Sequence, residues 1–185
     1  MTGLERIAEA FESARADGRR AALMPYLMGG FPDLDTSRRI GLEYARAGAD
    51  LIELGVPFSD PLADGPVIHA AATAALRRGV KLPEVVSVVG RAIADAGVPV
   101  VLMCYANPIF VRGLERFADS LVEAGISGLI VPDLPLEEAP AVLGACDERA
   151  LALVPLVAPT TPDARLARIG AQARGFLYTV SLTGT

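Results

Sequence analysis

Two acidic side chains sit where chemistry could use them. Glu53 interrupts the apolar run Leu51-Ile52-Glu53-Leu54-Gly55-Val56, and Asp64 follows eleven residues later in Asp60-Pro61-Leu62-Ala63-Asp64-Gly65. Side chains of a strand alternate between its faces, so Ile52, Leu54 and Val56 share one side and Leu51, Glu53 and Gly55 the other. The all-aliphatic set should meet covering helices, which turns Glu53 to the other side, the lumen if the sheet closes into a barrel rather than lying open and doubly wound. A carboxylate there is expensive to ionise unless it is paired or hydrogen-bonded. Desolvation should raise its pKa into the range of a proton donor and acceptor near neutrality. A structural Glu bonded to a neighbouring hydroxyl or backbone amide is the plainer reading. The rarity of fully buried Glu favours chemistry.

Asp64 falls in the loop leaving the same strand, so one carboxylate lies deep and the other on a wet loop. Unequal environments of this kind divide acid from base labour. Asp60-Pro61 and Asp64-Gly65 are also ordinary turn signals, and local sequence leaves both readings open. The scarce residues narrow the rival chemistries. Lys81 is the only lysine and lies between two helical patterns beside Pro83, where solvation is expected, so a Schiff-base lysine at a strand end is missing. His69 is the only histidine, expected on the surface of an alanine-rich helix, whereas metal-dependent epimerases and aldolases draw on several. Metal-free chemistry by carboxylates remains. Cys104 and Cys146, without a CxxC spacing, read as buried thiols.

These side chains need a scaffold. Apolar runs at Ala21–Met28, Asp50–Val56, Val98–Tyr105, Gly128–Asp133, Ala152–Ala158 and Phe176–Leu182 predict six strands, and their near-continuous apolar character suits a parallel sheet buried on both faces. Helical patterns lie between them, including Val67–Gly79 and Leu82–Ala96. Leu114, Phe117, Ala118, Leu121 and Val122 mark one apolar stripe within Gly113–Gly125, and Leu4, Ile7, Ala8, Phe11 and Ala14 mark another, an extra helix before the first strand. Gly48, Gly97 and Gly125 stand where helices should end. Six strands alternating with helices mean an α/β fold. The absence of GxGxxG after the first strand and of a P-loop removes support for a nucleotide-binding sheet.

The 185 residues, 52% apolar and 21% charged, fit a single globular domain over 1–185. A net charge of −5 with scattered basic residues argues against nucleic acid or an anionic membrane as partner. The mean hydropathy of +0.41 raises the question of a membrane span. The stretch from Val98 to Val111 is broken by Pro99, Asn107 and Pro108 and falls short of ~20 clean residues. Glu5, Glu9 and Glu12 occupy the place of a signal peptide's apolar run. A soluble, cytoplasmic protein is the expectation.

The fourteen residues from Glu53 to Pro66, Glu-Leu-Gly-Val-Pro-Phe-Ser-Asp-Pro-Leu-Ala-Asp-Gly-Pro, closely resemble the signature of tryptophan synthase α subunits. Pro25-Tyr26 with Gly30-Phe31-Pro32, Tyr105-Ala106-Asn107-Pro108, Val131-Pro132-Asp133-Leu134-Pro135 and the segment Gly175 to Gly184 match in register, so the resemblance spans the chain. It implies a TIM-type (β/α)8 barrel, here incomplete, with about six βα units, an extra N-terminal helix and strands 7 and 8 missing, since eight units take ~250 residues. It also implies a lyase that cleaves indole-3-glycerol phosphate to indole and glyceraldehyde 3-phosphate. Glu53 and Asp64 would be the catalytic carboxylates. Tyr178, Tyr26 and Gly184 would contact substrate. Asp60, Asn107 and Pro108 would meet a β subunit in an α2β2 assembly, and pyridoxal phosphate would belong to that partner, with no cofactor or metal here. Tyr105 reads as a plug aromatic whose hydroxyl the backbone satisfies, and Asp133 as an organiser of loops. Three alternatives stand beside this reading: a non-catalytic remnant that binds the β subunit, a paralogue releasing free indole, and a phosphate-sugar barrel such as a ribulose-phosphate epimerase.

Overall fold

A computed structural model describes residues 1–181. Five strands, β1 (Tyr26–Met28), β2 (Ile52–Gly55), β3 (Val100–Met103), β4 (Gly128–Ile130) and β5 (Ala152–Val154), lie side by side in chain order, all parallel. A short β6 (Leu156–Val157) pairs in parallel with β7 (Tyr178–Thr179). The expected fifth strand is thus split at Pro155. Proline has no N–H for the ladder, but its carbonyl accepts from Tyr178 N–H at 3.0 Å, and the wall continues from β5 to β7. The strands are shorter than the apolar runs because the runs extend into the loops, as Ala21–Pro25 does before β1.

Helices follow the strands in alternation: α2 (Leu34–Arg46), α3 (Pro66–Arg77), α4 (Leu82–Glu84), α5 (Arg91–Asp95), α6 (Ala106–Arg112), α7 (Leu114–Glu123), α8 (Ala139–Asp147) and α9 (Asp163–Gln172), with α1 (Gly3–Ala16) before them all. The helix expected over Leu82–Ala96 exists but widens into a π-helical stretch, Val85–Gly90, between α4 and α5. Gly48, Gly97 and Gly125 adopt φ of 90°, 91° and 72° just beyond helix ends, the left-handed turn for which glycine is suited.

Alternation along the strands produces two apolar layers. Ile52, Leu54, Val56, Val100, Leu102, Leu129, Val131 and Leu153 join Phe117, Leu121 and Ile93 of the helices in an outer core. Leu51, Val101, Ile130, Ala152 and Val154 form an inner cluster with Met103, Phe176 and Tyr178. Together these are the wall of a β/α-barrel: parallel strands, helices outside, side chains filling the inside.

α1 seals the N-terminal end of the strands. Its Ile7 is fully buried in the inner cluster, and Phe11 meets Phe176 edge-on with centroids 5.7 Å apart. Ala8 and Val122, both expected on apolar stripes, are exposed. In each helix the buried face is narrower than the run of apolar residues. Arg6 extends from α1 to the Gly125 carbonyl at 2.8 Å and to those of Ala94 and Val98 at 3.3 and 3.4 Å. These carbonyls lie at or just beyond the ends of α5 and α7, where a cation is favoured. Arg6→Ala should therefore lower stability by about 1–3 kcal/mol. Urea unfolding would show this as an earlier midpoint at unchanged slope, and an unmoved midpoint would contradict it. Among the described residues, no helix is long and apolar enough to cross a membrane.

Candidate active site at the strand C-termini

Glu53 stands in the middle of β2, between Tyr26 of β1 and Val101 of β3 in register. Its side-chain neighbours of the same parity face inward and Ile52, Leu54 and Val56 face the helices, as expected. Glu53 is 5% exposed. Among the described residues neither a hydrogen bond nor an ion pair reaches its carboxylate, so the plainer reading of a structurally bonded Glu has no partner to rest on. Burial alone pushes its pKa up to about 7. A group so poised holds acid and base forms together near neutrality.

Asp64 lies half-buried in the loop after β2. Tyr105, at the N-terminus of α6 just past β3, donates its hydroxyl to Asp64 Oδ1 at 3.1 Å and accepts the Ala63 N–H at 3.0 Å. The Tyr105 ring stacks on Phe58 of the same loop, centroids 5.0 Å apart and planes 24° from parallel. Burial, with Asp64 adding to it, pushes the Tyr105 phenol up to about 12, so it remains a proton donor. Tyr105 is therefore more than the expected plug: the backbone does satisfy its oxygen, and its proton fixes Asp64. The signal missed in the sequence was spatial, since Tyr105 and Asp64 lie 41 residues apart. Asp133 organises a loop as expected, accepting the Ala106 N–H at 2.9 Å.

Tyr26 begins beside Glu53 and rises across Gly55. A Cβ placed on Gly55 would overlap the Tyr26 hydroxyl oxygen and lie 2.6 Å from Cζ. Burial raises the Tyr26 pKa, with the Asp64 and Glu53 charges adding to it. Tyr178 is half-buried, belongs to the inner cluster and is raised by burial and then by Glu53. Glu53, Asp64, Tyr26, Tyr105 and Tyr178 thus gather at one end of the lumen. Gly184 lies outside the described residues.

Asp60 and Asn107 are exposed and Pro108 is half-buried, in or just after the loops that follow β2 and β3. The same rim exposes Leu62, Val67, Phe110 and Val111. His69 and Lys81 are exposed as expected, and Cys104 and Cys146 are free, buried thiols. Among the described residues no group of three His, Cys, Asp or Glu side chains is placed to hold a metal ion. A cavity of about 430 Å³ opens among α8, α9 and the ends of β4 to β6. Among the described residues neither Glu53 nor Asp64 lines it, and Arg165 is the one charged side chain that does.

A parallel β/α wall with a desolvated carboxylate inside and a second on the rim loop defines a β/α-barrel whose candidate site lies at the strand C-termini. More narrowly, the chain belongs to the tryptophan synthase α-chain family: the family model described as "Tryptophan synthase alpha chain" matches residues 11–185. The tryptophan synthase α chain of Prochlorococcus marinus is 52% identical over 178 residues, covering 96% of this chain and 64% of that one. The α chain of Microcystis aeruginosa is 50% identical over 178 residues, covering 96% and 67%. The chain therefore spans about two thirds of the length of the curated relatives it matches. Among solved structures, tryptophan synthase of Mycobacterium tuberculosis superposes with a TM-score of 0.93 at 42% identity, covering 97% of this chain and 69% of that one. The α subunit of Legionella pneumophila gives 0.90 at 37% identity, covering 97% and 69%.

Proposed function

We propose that this chain carries the lyase chemistry of tryptophan synthase α subunits, the retro-aldol cleavage of indole-3-glycerol phosphate to indole and glyceraldehyde 3-phosphate. The observation that carries the reading is the inward Glu53, desolvated to a pKa of about 7 and without a polar partner among the described residues. The bond between indole and glycerol breaks only when the ring can accept its electron pair. Protonated Glu53 delivers a proton to ring carbon C3, making an iminium-like electron sink. The resulting carboxylate takes the proton of the hydroxyl on the adjoining side-chain carbon. That carbon becomes the aldehyde, and the carbon–carbon electron pair restores the aromatic ring.

Positive charge collects at the ring nitrogen during this sequence. Asp64, held by Tyr105, accepts the N–H and stabilises that charge. Tyr26 and Tyr178 flank the flat ring, and Val101, Met103, Ile130 and Val154 supply the apolar lining. Every step uses carboxylates, so on this reading neither metal nor cofactor takes part, and pyridoxal phosphate belongs to the partner. The rim bearing Asp60, Asn107 and Pro108, with its exposed Leu62, Phe110 and Val111, supports docking of a β subunit; the same reading makes the assembly α2β2 and its place the cytoplasm.

Indole release from indole-3-glycerol phosphate, with and without a β subunit, tests the proposal. Asp64→Ala should lower kcat/KM on the order of 10²-fold. Tyr105→Phe keeps the carboxylate but frees it, and should cost about 10-fold. Unchanged cleavage in Asp64→Ala, or loss of cleavage on adding a chelator, would overturn the mechanism.

A further inference from the structure

We propose that Tyr26 is a positioning residue whose ring keeps water from the β1 side of the Glu53 carboxylate. The inference rests on the proposed function for its consequence in catalysis, though not for its physical content. At the level of Glu53, β1 contributes a single inward residue, Tyr26, paired directly with it. Leu27, the next residue, belongs to the outer core. The Tyr26 ring leans from its Cα toward the rim and fills the space that Gly55 leaves by having no side chain. Tyr26 and Gly55 are therefore a matched pair, a large residue beside an empty position, and together they close the path from the rim loop to Glu53.

Toward β3, β4, β5 and the α1 end, the lumen is lined by other residues. β3 brings Val101 and Met103, β4 brings Ile130, β5 brings Val154, and α1 brings Ile7 and Phe11 from the far end. Among the described residues, the titratable groups facing this space are Tyr26 from β1, Tyr178 from β7, and Asp64 with Tyr105 at the rim. Both lumenal phenols are pushed upward by burial and stay neutral, and Asp64 is tied to Tyr105. No cation among these groups stabilises the Glu53 charge, so its proton affinity is governed by how much water reaches it. Removing the ring opens a polar, ring-sized gap that water can occupy, and a hydrated carboxylate returns toward its ordinary range.

Carboxyl ¹³C shifts of glutamate-labelled protein, assigned by the loss of one resonance in Glu53→Gln, read this directly. Glu53 should titrate near pH 7 in the unaltered chain. Tyr26→Phe keeps the ring and should leave that midpoint in place, whereas Tyr26→Ala should lower it by about one unit or more. Tyr26→Leu, a milder truncation for the case that alanine unfolds the chain, should give a shift of the same sign. The alkaline limb of the indole-release profile, where the protonated Glu53 that starts the reaction is lost, should move with the resonance. An unmoved midpoint in both Tyr26→Ala and Tyr26→Leu would overturn the proposal, and so would an equal shift in Tyr26→Phe, which would assign the effect to the hydroxyl. Because the titration is read without turnover, a chain that releases no indole refutes the proposed function and leaves the Tyr26 result intact.

Discussion

Glu53→Gln should abolish indole release and at the same time make the folded chain more stable above neutral pH. Loss of the one group that both gives and takes a proton removes a contribution of about 10²–10⁴-fold, and the amide cannot substitute in either direction. Stability moves the other way. The folded-state pKa of Glu53 is about 7 against an ordinary value of 4.5, so between those values the native state binds more protons than the unfolded one. Stability therefore falls as pH rises through that window, and above it the full cost of an ionised, buried carboxylate remains. Gln has nearly the same shape and no charge to desolvate. Its gain should be on the order of 2 kcal/mol near pH 8, vanishing near pH 4. Urea titrations of both proteins across that range would measure it. Parallel stability–pH curves for wild type and variant would show that Glu53 is not desolvated, and the catalytic argument would fall with it.

The same residue shows how much of the site was legible in sequence. A lone acid in an alternating aliphatic strand fixes its own side, because only one parity can face the helices, and the inner and outer clusters divide at that alternation. Strand order and helix ends were legible for similar reasons: consecutive apolar runs, helical stripes and terminal glycines are local signals. Where sequence reading went astray, a tertiary contact decided. Ala8 and Val122 belong to apolar stripes by spacing, yet the surfaces beneath α1 and α7 are narrower than those stripes. Pro155 splits the fifth strand because a missing N–H interrupts the ladder while its carbonyl still serves β7. The hold of Tyr105 on Asp64 joins residues 41 apart, and no local pattern encodes it. The Tyr26–Gly55 pair is a fourth case: each residue reads as ordinary alone, and only parallel register brings the ring across the glycine.

That pair sets the second large effect. Gly55→Ala adds one methyl group at a position that already holds the end of the Tyr26 side chain: the new Cβ would overlap the hydroxyl oxygen and stand 2.6 and 3.0 Å from Cζ and Cε2. A Tyr ring can yield by rotating, but β1 and the outer core lie behind it, so it yields inward, into the space where an indole ring would sit. The expected result is a stability loss of about 1–3 kcal/mol from overpacking and, on the proposed function, a fall in kcat/KM on the order of 10²-fold or more, borne mainly by KM. Tyr26→Leu stops short of Gly55 and leaves room for the methyl. In a double-mutant cycle, Gly55→Ala should therefore cost much less in the Tyr26→Leu background, with a coupling of about 1 kcal/mol or more. Additive losses would mean that the ring does not cross the glycine. The shielding assigned to Tyr26 would then lose its geometric basis, whatever the titration of Glu53 showed.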